Sequence, residues 1–450
     1  MFALKFTVIW PLRKALATLA LVVVTVVPTL YISITSWRVN QPSHVREVEN
    51  QISQEFGLKV TLEGVRHPQP GEDVLRGVLV RHEEPRGRQL EELARAKVVR
   101  VIRSRESVVL EVEGLKLRAE SPKQAMAHVA SLLQRVGGGA YPHVSLSAPT
   151  CEVDLGPGGT SGPLRFQFRD VAGAFQANQD APTIIVSYRP ADEGSSTRCE
   201  LTLTRNRQDA KVRTALVFKS MEGLPLPARV LDPFFDTADW LGTAARAEGT
   251  LSLYQQGQSE WEAEFEGVLT DVDFAALLSR RFPDQRLSGM GLVKINKARW
   301  ANRPGGQGFG WVSAEGDLRA GQGTIGAPLL VALKDEMQFR LPPSLESRHG
   351  DIPFQSLGLT FALASDGEIR LRGGLGTDFP PDAVLVDTDR FGPLASAPEG
   401  TAHVRGLIRT LFPTTGSNAT VLVPDTPESR ILRFLPAPVT TAQRAKLIAN

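Results

Sequence analysis

Apolar and polar residues alternate along most of the chain that follows residue 57. The alternating segments are short, rich in β-branched residues and separated by turn residues, which is typical of strands with one buried and one solvated face. In the first half they read LKVTLEGV, VLRGVLVRH, AKVVRVIR, SVVLEVEGLKLRAE, LRFQFRDV, TIIVSYRP, CELTLTRN and VRTALVFKS. The pattern predicts a mainly β protein of the α+β class, with a largely antiparallel sheet and a few short helices.

Helical spacing of apolar residues interrupts this pattern at a few places. Residues 41–57 carry an apolar stripe from Val45 to Phe56 and end at a glycine, which predicts an amphipathic helix. Further helical segments are predicted at 121–137, 226–242, 273–282 and 327–337, of which the second is broken.

The strands of the second half are strongly one-sided. In EWEAEFE (260–266) aromatic and alanine residues alternate with glutamates, and a similar alternation runs through 356–372. Because successive side chains point to opposite faces of a sheet, the apolar ones share one face. Our candidates for that face are Trp261, Phe265, Leu359, Phe361, Ile369 and Leu371. Two interpretations stay open: an ordinary core covered by helices or a second sheet, or a surface that binds a hydrophobic ligand.

The N-terminal region contains an uncharged apolar segment, residues 15–37. At about 1.5 Å per residue it spans roughly 30 Å, which is enough for a transmembrane helix. The lysine and arginine residues that precede it predict that residues 1–14 lie in the cytoplasm and the bulk of the chain on the other side. A cleaved signal peptide is the competing interpretation, but the segment lacks a small-x-small cleavage site.

Composition narrows the class of function. The formal net charge is +2, and no long basic run with interleaved aromatic residues indicates nucleic acid as a partner. The two cysteines, Cys151 and Cys199, both fall in predicted strands. In an exported domain they form either one disulfide or two buried free thiols, and the sequence leaves both alternatives open.

One short motif suggests nucleotide chemistry, but its context does not. Residues 321–326, GQGTIG, match the dinucleotide fingerprint. The strand before them alternates polar and apolar residues, whereas a strand of a parallel sheet is nearly all apolar. We therefore interpret the motif as a tight strand-to-helix turn with Thr324 as N-cap. The seven histidines show no metal-ligand spacing, so we predict no catalytic, cofactor-binding or metal-binding residues, and no enzyme.

Four motifs follow one another between residues 246 and 412. They are FEGVLTDVDFAALLS, RLSGMGLVKINKARW, VSAEGDLRAGQGTIGAPLLVAL and IPFQSLGLTFALASDGEIRLRG. In this order they resemble the C-terminal part of AsmA-like proteins. That family is anchored in the inner membrane of diderm bacteria with its bulk in the periplasm. It is related to TamB and to repeating-β-groove lipid-transfer proteins.

The resemblance implies a curved sheet, or groove, whose apolar face carries acyl chains. The expected function is to bind or conduct lipid and to support outer-membrane and envelope assembly. The implied partners are membrane lipids (phospholipid or glycolipid), the inner membrane through residues 15–37, and envelope proteins. The alternatives are a non-transporting scaffold with a closed β core and an anchored envelope enzyme.

These interpretations together divide the chain into five parts. The predicted parts are a cytoplasmic segment (1–14), a transmembrane anchor (15–37), an N-terminal periplasmic β-rich region (38–245), an AsmA-like C-terminal β-rich domain (246–412) and a loosely ordered tail (413–450).

Overall fold

A computed structural model describes residues 41–412 of the chain with several gaps. The gaps are 57, 84–89, 120–142, 158–162, 177, 179, 192–197, 209–211, 221–224, 229–239, 257–259, 281, 303–308, 347–348 and 389–391. The predicted anchor at 15–37, the predicted helix at 121–137 and the predicted tail from 413 lie outside the described residues. Within the described part, no helix is both long enough and apolar enough to span a membrane.

The described residues form a mainly β fold. The helices are α1 (Pro42–Phe56), a π-helix (Ala275–Ser279), α2 (Ala327–Met337), α3 (Pro343–Glu346) and α4 (Val404–Leu411). The strands of the first half are β1 (Lys59–Thr61), β2 (Gly64–Gln69), β3 (Glu72–Glu83), β4 (Leu90–Arg103), β5 (Ser107–Glu113), β6 (Leu115–Ala119), β7 (His143–Pro157), β8 (Pro163–Gln176), β9 (Thr183–Pro190), β10 (Cys199–Asn206) and β11 (Arg213–Ser220). Those of the second half are β12 (Leu226–Pro227), β13 (Arg246–Gln256), β14 (Glu260–Asp273), β15 (Met290–Asn302), β16 (Phe309–Ala320), β17 (Gly323–Gly326), β18 (Asp351–Leu363), β19 (Glu368–Gly373), β20 (Ala383–Asp387), β21 (Pro393–Ser396) and β22 (Thr401–His403).

All of these strands belong to one sheet, and most of them pair with at least one strand next to them in the sequence. From β7 the pairing runs β7–β8–β9–β10–β11–β13–β14–β15–β16–β18, always antiparallel. Among the described strands only β5 and β6 pair in parallel, both with β7. At about 4.8 Å per strand the sheet extends roughly 70 Å along its hydrogen-bond direction.

The sheet is continuous across the predicted division at 245/246. Strand β11 precedes that division and β13 follows it, and the two pair from Arg213 opposite Gln256 to Lys219 opposite Thr250. The predicted N-terminal and C-terminal β-rich regions therefore share one hydrogen-bonded ladder.

Most predicted elements are confirmed, with two corrections. The helices predicted at 41–57, 273–282 and 327–337 are present, the second as a π-helix. The segment predicted as helical from 226 begins instead as strand β12, because Leu226 pairs with Ala247. The prediction of Thr324 as N-cap is wrong: Thr324 lies within β17, and the residue at the N-cap of α2 is Gly326.

Irregular residues bend several strands of the sheet. Gly77, Asp170 and Asp271 have positive φ angles of 58°, 51° and 53°. The ladders of β8 with β9 and of β14 with β15 shift register next to the two aspartates. Bulges of this kind increase local twist and curvature. They also change which residues of a strand face each side, so simple alternation fails at these points.

Helix α1 closes the β1–β3 end of the sheet. Its Glu49 carboxylate accepts a hydrogen bond of 2.6 Å from the Leu62 N–H, and its Ser53 hydroxyl accepts one of 3.0 Å from the Val60 N–H. At the start of the helix, His44 Nε2 lies 3.0 Å from Nε2 of His67 on β2. These contacts cover backbone groups that a free sheet edge would expose.

Candidate functional site

One face of the sheet is apolar along almost its whole length. Directly opposite residues of neighbouring strands lie on the same face, so the registers can be followed from strand to strand. From β4 to β22 they define a first row: Val101, Leu110, Leu146, Gly173, Val186, Leu201, Phe218, Leu251, Phe265, Ala298, Ala314, Leu363, Ile369 and Ala402. We call the face that carries this row the apolar face.

A second row runs beside the first on the same face. Its members are Val108, Val144, Phe175, Ile184, Leu203, Leu216, Leu253, Ala263 and Trp300. No polar side chain interrupts either row. The apolar surface is therefore a continuous band, which is more than a patch contributed by one hairpin.

The opposite face is polar and carries cross-strand ion pairs. Arg299 on β15 bonds to Glu262 on β14, and Lys116 Nζ on β6 lies 2.5 Å from Glu152 on β7. The hydrogen bond and the positive charge of Lys116 lower the pKa of Glu152 below its ordinary value. The sheet thus separates a solvated face from an apolar one.

The covered end of the apolar face comprises β16–β22 with helices α2 and α4. Leu329 and Leu330 of α2 and Val404 of α4 belong to the same buried cluster as Phe354 and Leu385 of the sheet. Gly406 of α4 lies so close to α2 that an added Cβ would sit 2.3 Å from the Glu336 carbonyl oxygen. This end is an ordinary closed core.

Within the part of the chain that the structure describes, helices give the middle strands, β9, β10, β11 and β13, much less cover. Among the described residues, the buried cluster next to them takes its cover from Ala228, Leu241 and Ala245, and its other members are sheet residues. Along the first row Val186, Leu201 and Phe218 remain half-buried. The two parts of the apolar face are thus built differently.

A shallow cleft lies on the middle strands. It measures about 270 Å³ including the solvent at its mouth, and its lining residues include Phe218, Leu226, Leu251 and Phe265. The Ser220 hydroxyl, also in the lining, accepts the Gly249 N–H at 2.7 Å and donates to the Gly249 carbonyl at 3.3 Å. The Ser220 hydroxyl is thus satisfied within the protein, and Glu248 is the one charged residue among the lining residues.

The registers place five of the six candidates on the apolar face, but not in equivalent surroundings, and of the sixth, Trp261, only the position on β14 is described. Trp261 and Phe265 lie on β14, and Phe265 lines the cleft. Ile369 and Leu371 are 5% and 8% exposed and belong to the covered core, against which Leu359 and Phe361 also pack. Ile369 and Leu371 are therefore buried in a covered core, and we do not retain them as ligand contacts.

Sequence analysis missed the central residues of the cleft. Phe218 and Leu251 both lie in strands with visible alternation, but alternation alone does not show which strands the helices leave uncovered. Their position follows only from the pairing of β11 with β13, which brings together segments on either side of the predicted division.

Both cysteines are free and buried. Cys151 on β7 and Cys199 on β10 are separated by β8 and β9, so roughly 14 Å lies between their strands. A disulfide requires Cα atoms within about 7 Å. Of the two alternatives, the structure has the free thiols. Burial raises the pKa of Cys151 to about 11, with a contribution from Glu152, and that of Cys199 to about 12.

The glycine fingerprint at 321–326 has a packing role. Strand β17 pairs antiparallel with β18, so the parallel βαβ unit of a dinucleotide fold is not formed here. A Cβ at Gly323 would lie 2.2 Å from the Ser288 carbonyl oxygen and 2.6 Å from Phe354 Cζ. Gly316 similarly lies beneath the Phe361 ring, whose Cζ would be 2.9 Å from an added Cβ.

Comparisons with known proteins add no family to this picture. No protein family model matches the chain, and no curated protein matches it. Within the described part of the chain, no group of three or more His, Cys, Asp and Glu side chains is placed to hold a metal ion.

Proposed function

We propose that this chain is a membrane-anchored periplasmic protein that binds or conducts lipid along its apolar face and so supports envelope assembly. The observation that carries the proposal is the unbroken first row of apolar residues from β4 to β22. A surface that only closes a core has no need to continue across strands that the described helices leave with little cover. The resemblance of residues 246–412 to AsmA-like proteins supports the same function.

The physical work of such a face is to keep acyl chains out of water. Each CH₂ group that moves from water to an apolar surface gains about 0.8 kcal/mol. The half-buried Phe218 and Phe265 of the cleft offer such a surface among the described residues. The polar face, with its ion pairs, keeps the same sheet soluble on its other side. No catalytic residue is required for this function.

The direct test is crosslinking at adjacent positions that face opposite sides. A photoreactive phenylalanine analogue replaces Phe265 on the apolar face or, as the matched control, Glu266 on the polar face of the same strand. The full chain is expressed in a diderm bacterium and irradiated. We expect a lipid adduct by mass spectrometry at position 265 and none at 266.

A closed-core scaffold is the second candidate, favoured by the covered end. If the middle strands are closed in the same way, position 265 will give crosslinks to other parts of this chain and no lipid adduct. That result would overturn the lipid-binding proposal. Equal lipid adducts at 265 and 266 would also contradict it, because they would show contact with membrane in general.

A further inference from the structure

A positively charged side chain stands at the border of the apolar face. Beside the second row, the registers define a rim row of Arg205, Thr214 and Gln255. Because Arg205 is two residues from Leu203 on the same strand, its side chain starts from the apolar face. Three neighbouring strands thus place a guanidinium, a hydroxyl and an amide side by side at the edge of an otherwise apolar band.

The local contacts hold Arg205 without neutralising it. Its Nη1 donates a hydrogen bond of 3.1 Å to Oγ1 of Thr214, which is 3% exposed. Among the described residues, no carboxylate lies within ion-pair distance of Arg205. Partial burial and, second, the positive charge of Arg207 lower the pKa of Arg205. The guanidinium nevertheless stays protonated, since arginine does not lose its proton in proteins.

The matching arginine on the other face shows a different arrangement. Arg213 begins strand β11 at the same rim, next to Thr214 in sequence but on the polar face. Its guanidinium lies 4.0 Å from the Tyr254 ring centroid and 4.0 Å from the Glu262 carboxylate. Arg213 therefore has its partners within the described protein, whereas Arg205 faces the border of the apolar band with a hydroxyl and an amide.

We propose that Arg205, held in place by Thr214 and assisted by Gln255, binds the phosphate of an anionic lipid headgroup whose acyl chains lie on the neighbouring apolar rows. The inference rests on the proposed lipid function and specifies its substrate class. A planar guanidinium offers parallel N–H donors that match phosphate oxygens. The buried Thr214 hydroxyl orients the guanidinium, and the amide of half-buried Gln255 supplies a further donor. The half-buried Leu216 and Leu253 of the second row receive the chains.

The test compares two lipids with the same acyl chains, one with an anionic phosphoglycerol headgroup and one with an uncharged hydroxyl in its place. Full-length protein in a mild detergent is offered equal amounts of dioleoyl phosphatidylglycerol and dioleoylglycerol, and native mass spectrometry gives the ratio bound. We expect a preference for phosphatidylglycerol of about tenfold, the size of a charge-assisted contact at a partly exposed site. Arg205→Gln should reduce the ratio to about one, and Arg213→Gln should leave it unchanged.

A second variant tests the site without removing the arginine. Gln255→Glu places a carboxylate in the rim row, where it competes for Arg205 and repels an anionic headgroup, so the preference should again disappear. Loss of preference in both rim variants with retention in Arg213→Gln supports the site. A preference that persists in Arg205→Gln or in Gln255→Glu overturns it.

The remaining outcomes separate this inference from the function on which it rests. If the wild-type protein binds both lipids equally, the headgroup site is wrong and lipid binding stands. If it binds neither lipid, the proposed function fails. If the wild-type protein binds inorganic phosphate at millimolar concentration but shows no preference for phosphatidylglycerol, the ligand is free phosphate and the lipid headgroup is excluded.

Discussion

The covered end and the middle strands are parts of one sheet that use the same apolar face in different ways. At the covered end, large side chains from α2 and α4 fill the space above Phe354 and Leu385. Beside the middle strands, the buried cluster is rich in alanine, including Ala247, Ala263 and Ala298. The cleft lies in this region, with Ala247, Phe218 and Phe265 in its lining. At the covered end the apolar face therefore contributes to stability, and on the middle strands it is a candidate binding surface.

The largest difference between the two regions is expected in the free energy of unfolding that is lost when one phenylalanine is replaced by alanine in each. Phe354 is 1% exposed in the covered core, so Phe354→Ala should lower the free energy of unfolding by about 3–5 kcal/mol. Phe218 is half-buried in the cleft, so Phe218→Ala should cost only about 1 kcal/mol. Urea unfolding of the two variants measures the comparison. Equal losses would mean that the middle strands are as fully packed as the covered end.

A pair of glycine substitutions within the fingerprint sharpens the description of the covered end. Gly323→Ala forces a Cβ against the Ser288 carbonyl and the Phe354 ring, and should cost about 1–3 kcal/mol, as overpacking does. Gly321→Ala meets nothing within 4 Å and should be neutral to within about 0.5 kcal/mol. Thermal unfolding distinguishes the two. A larger loss at Gly321 would contradict the packing role of the motif.

The reactivity of Cys151 and Cys199 measures whether water reaches the apolar face outside the covered end. Their pKa values of about 11 and 12 lie above the ordinary 9.0. Between about pH 9 and 11 the unfolded thiols lose their protons while the folded ones keep them. Stability from this source is thus complete below pH 9 and is lost as the pH rises.

The reaction rate of the two thiols can be measured with a disulfide reagent whose product absorbs visible light. At pH 8 both thiols should react only as fast as the protein unfolds, and a Cys199→Ala variant should lose one slow equivalent. Rapid reaction of Cys199 in the folded protein would show that water reaches the apolar face at β10.

The smallest effect is expected on the polar face. Glu262→Gln removes the partner of Arg299, which is 44% exposed. Exposed ion pairs contribute about 0–1 kcal/mol, so the variant should unfold within that range of the wild type and bind lipid normally. Chemical denaturation and the crosslinking assay at position 265 check both expectations. Loss of lipid binding in this variant would break the assignment of functions to the two faces.

Sequence patterning predicted the strands well because each strand has one apolar and one polar side. It located α2 at residues 327–337 because the helix follows a glycine and carries its own apolar stripe. It failed at Thr324, whose hydroxyl lies 2.7 Å from the Ser288 hydroxyl on the neighbouring strand segment instead of capping the helix. That choice depends on a pairing 36 residues away in sequence, which local pattern does not contain.

The candidate surface was predictable in its face but not in its extent. Alternation assigned Phe265 and Phe361 to one side correctly. No register shift falls between residues 260 and 265 or between residues 356 and 361, where the alternation was read. It did not show that α2 and α4 cover Ile369 and Leu371 and leave Phe218 with less cover, since that depends on where helices dock. The sequence did not predict Arg205 as a binding residue, because the other residues of the rim row, Thr214 and Gln255, lie on two other strands.

The order of the strands has a consequence for how such a protein changes length. From β7 to β16 each strand contacts strands adjacent or nearly adjacent in sequence, as in repeat proteins, where stability is a sum of nearest-neighbour terms. Removing one hairpin, such as β10 with β11, preserves the alternating strand direction and shortens the sheet by about 10 Å. The length of the apolar band therefore depends on the number of hairpins between the α1 end of the sheet and its covered end.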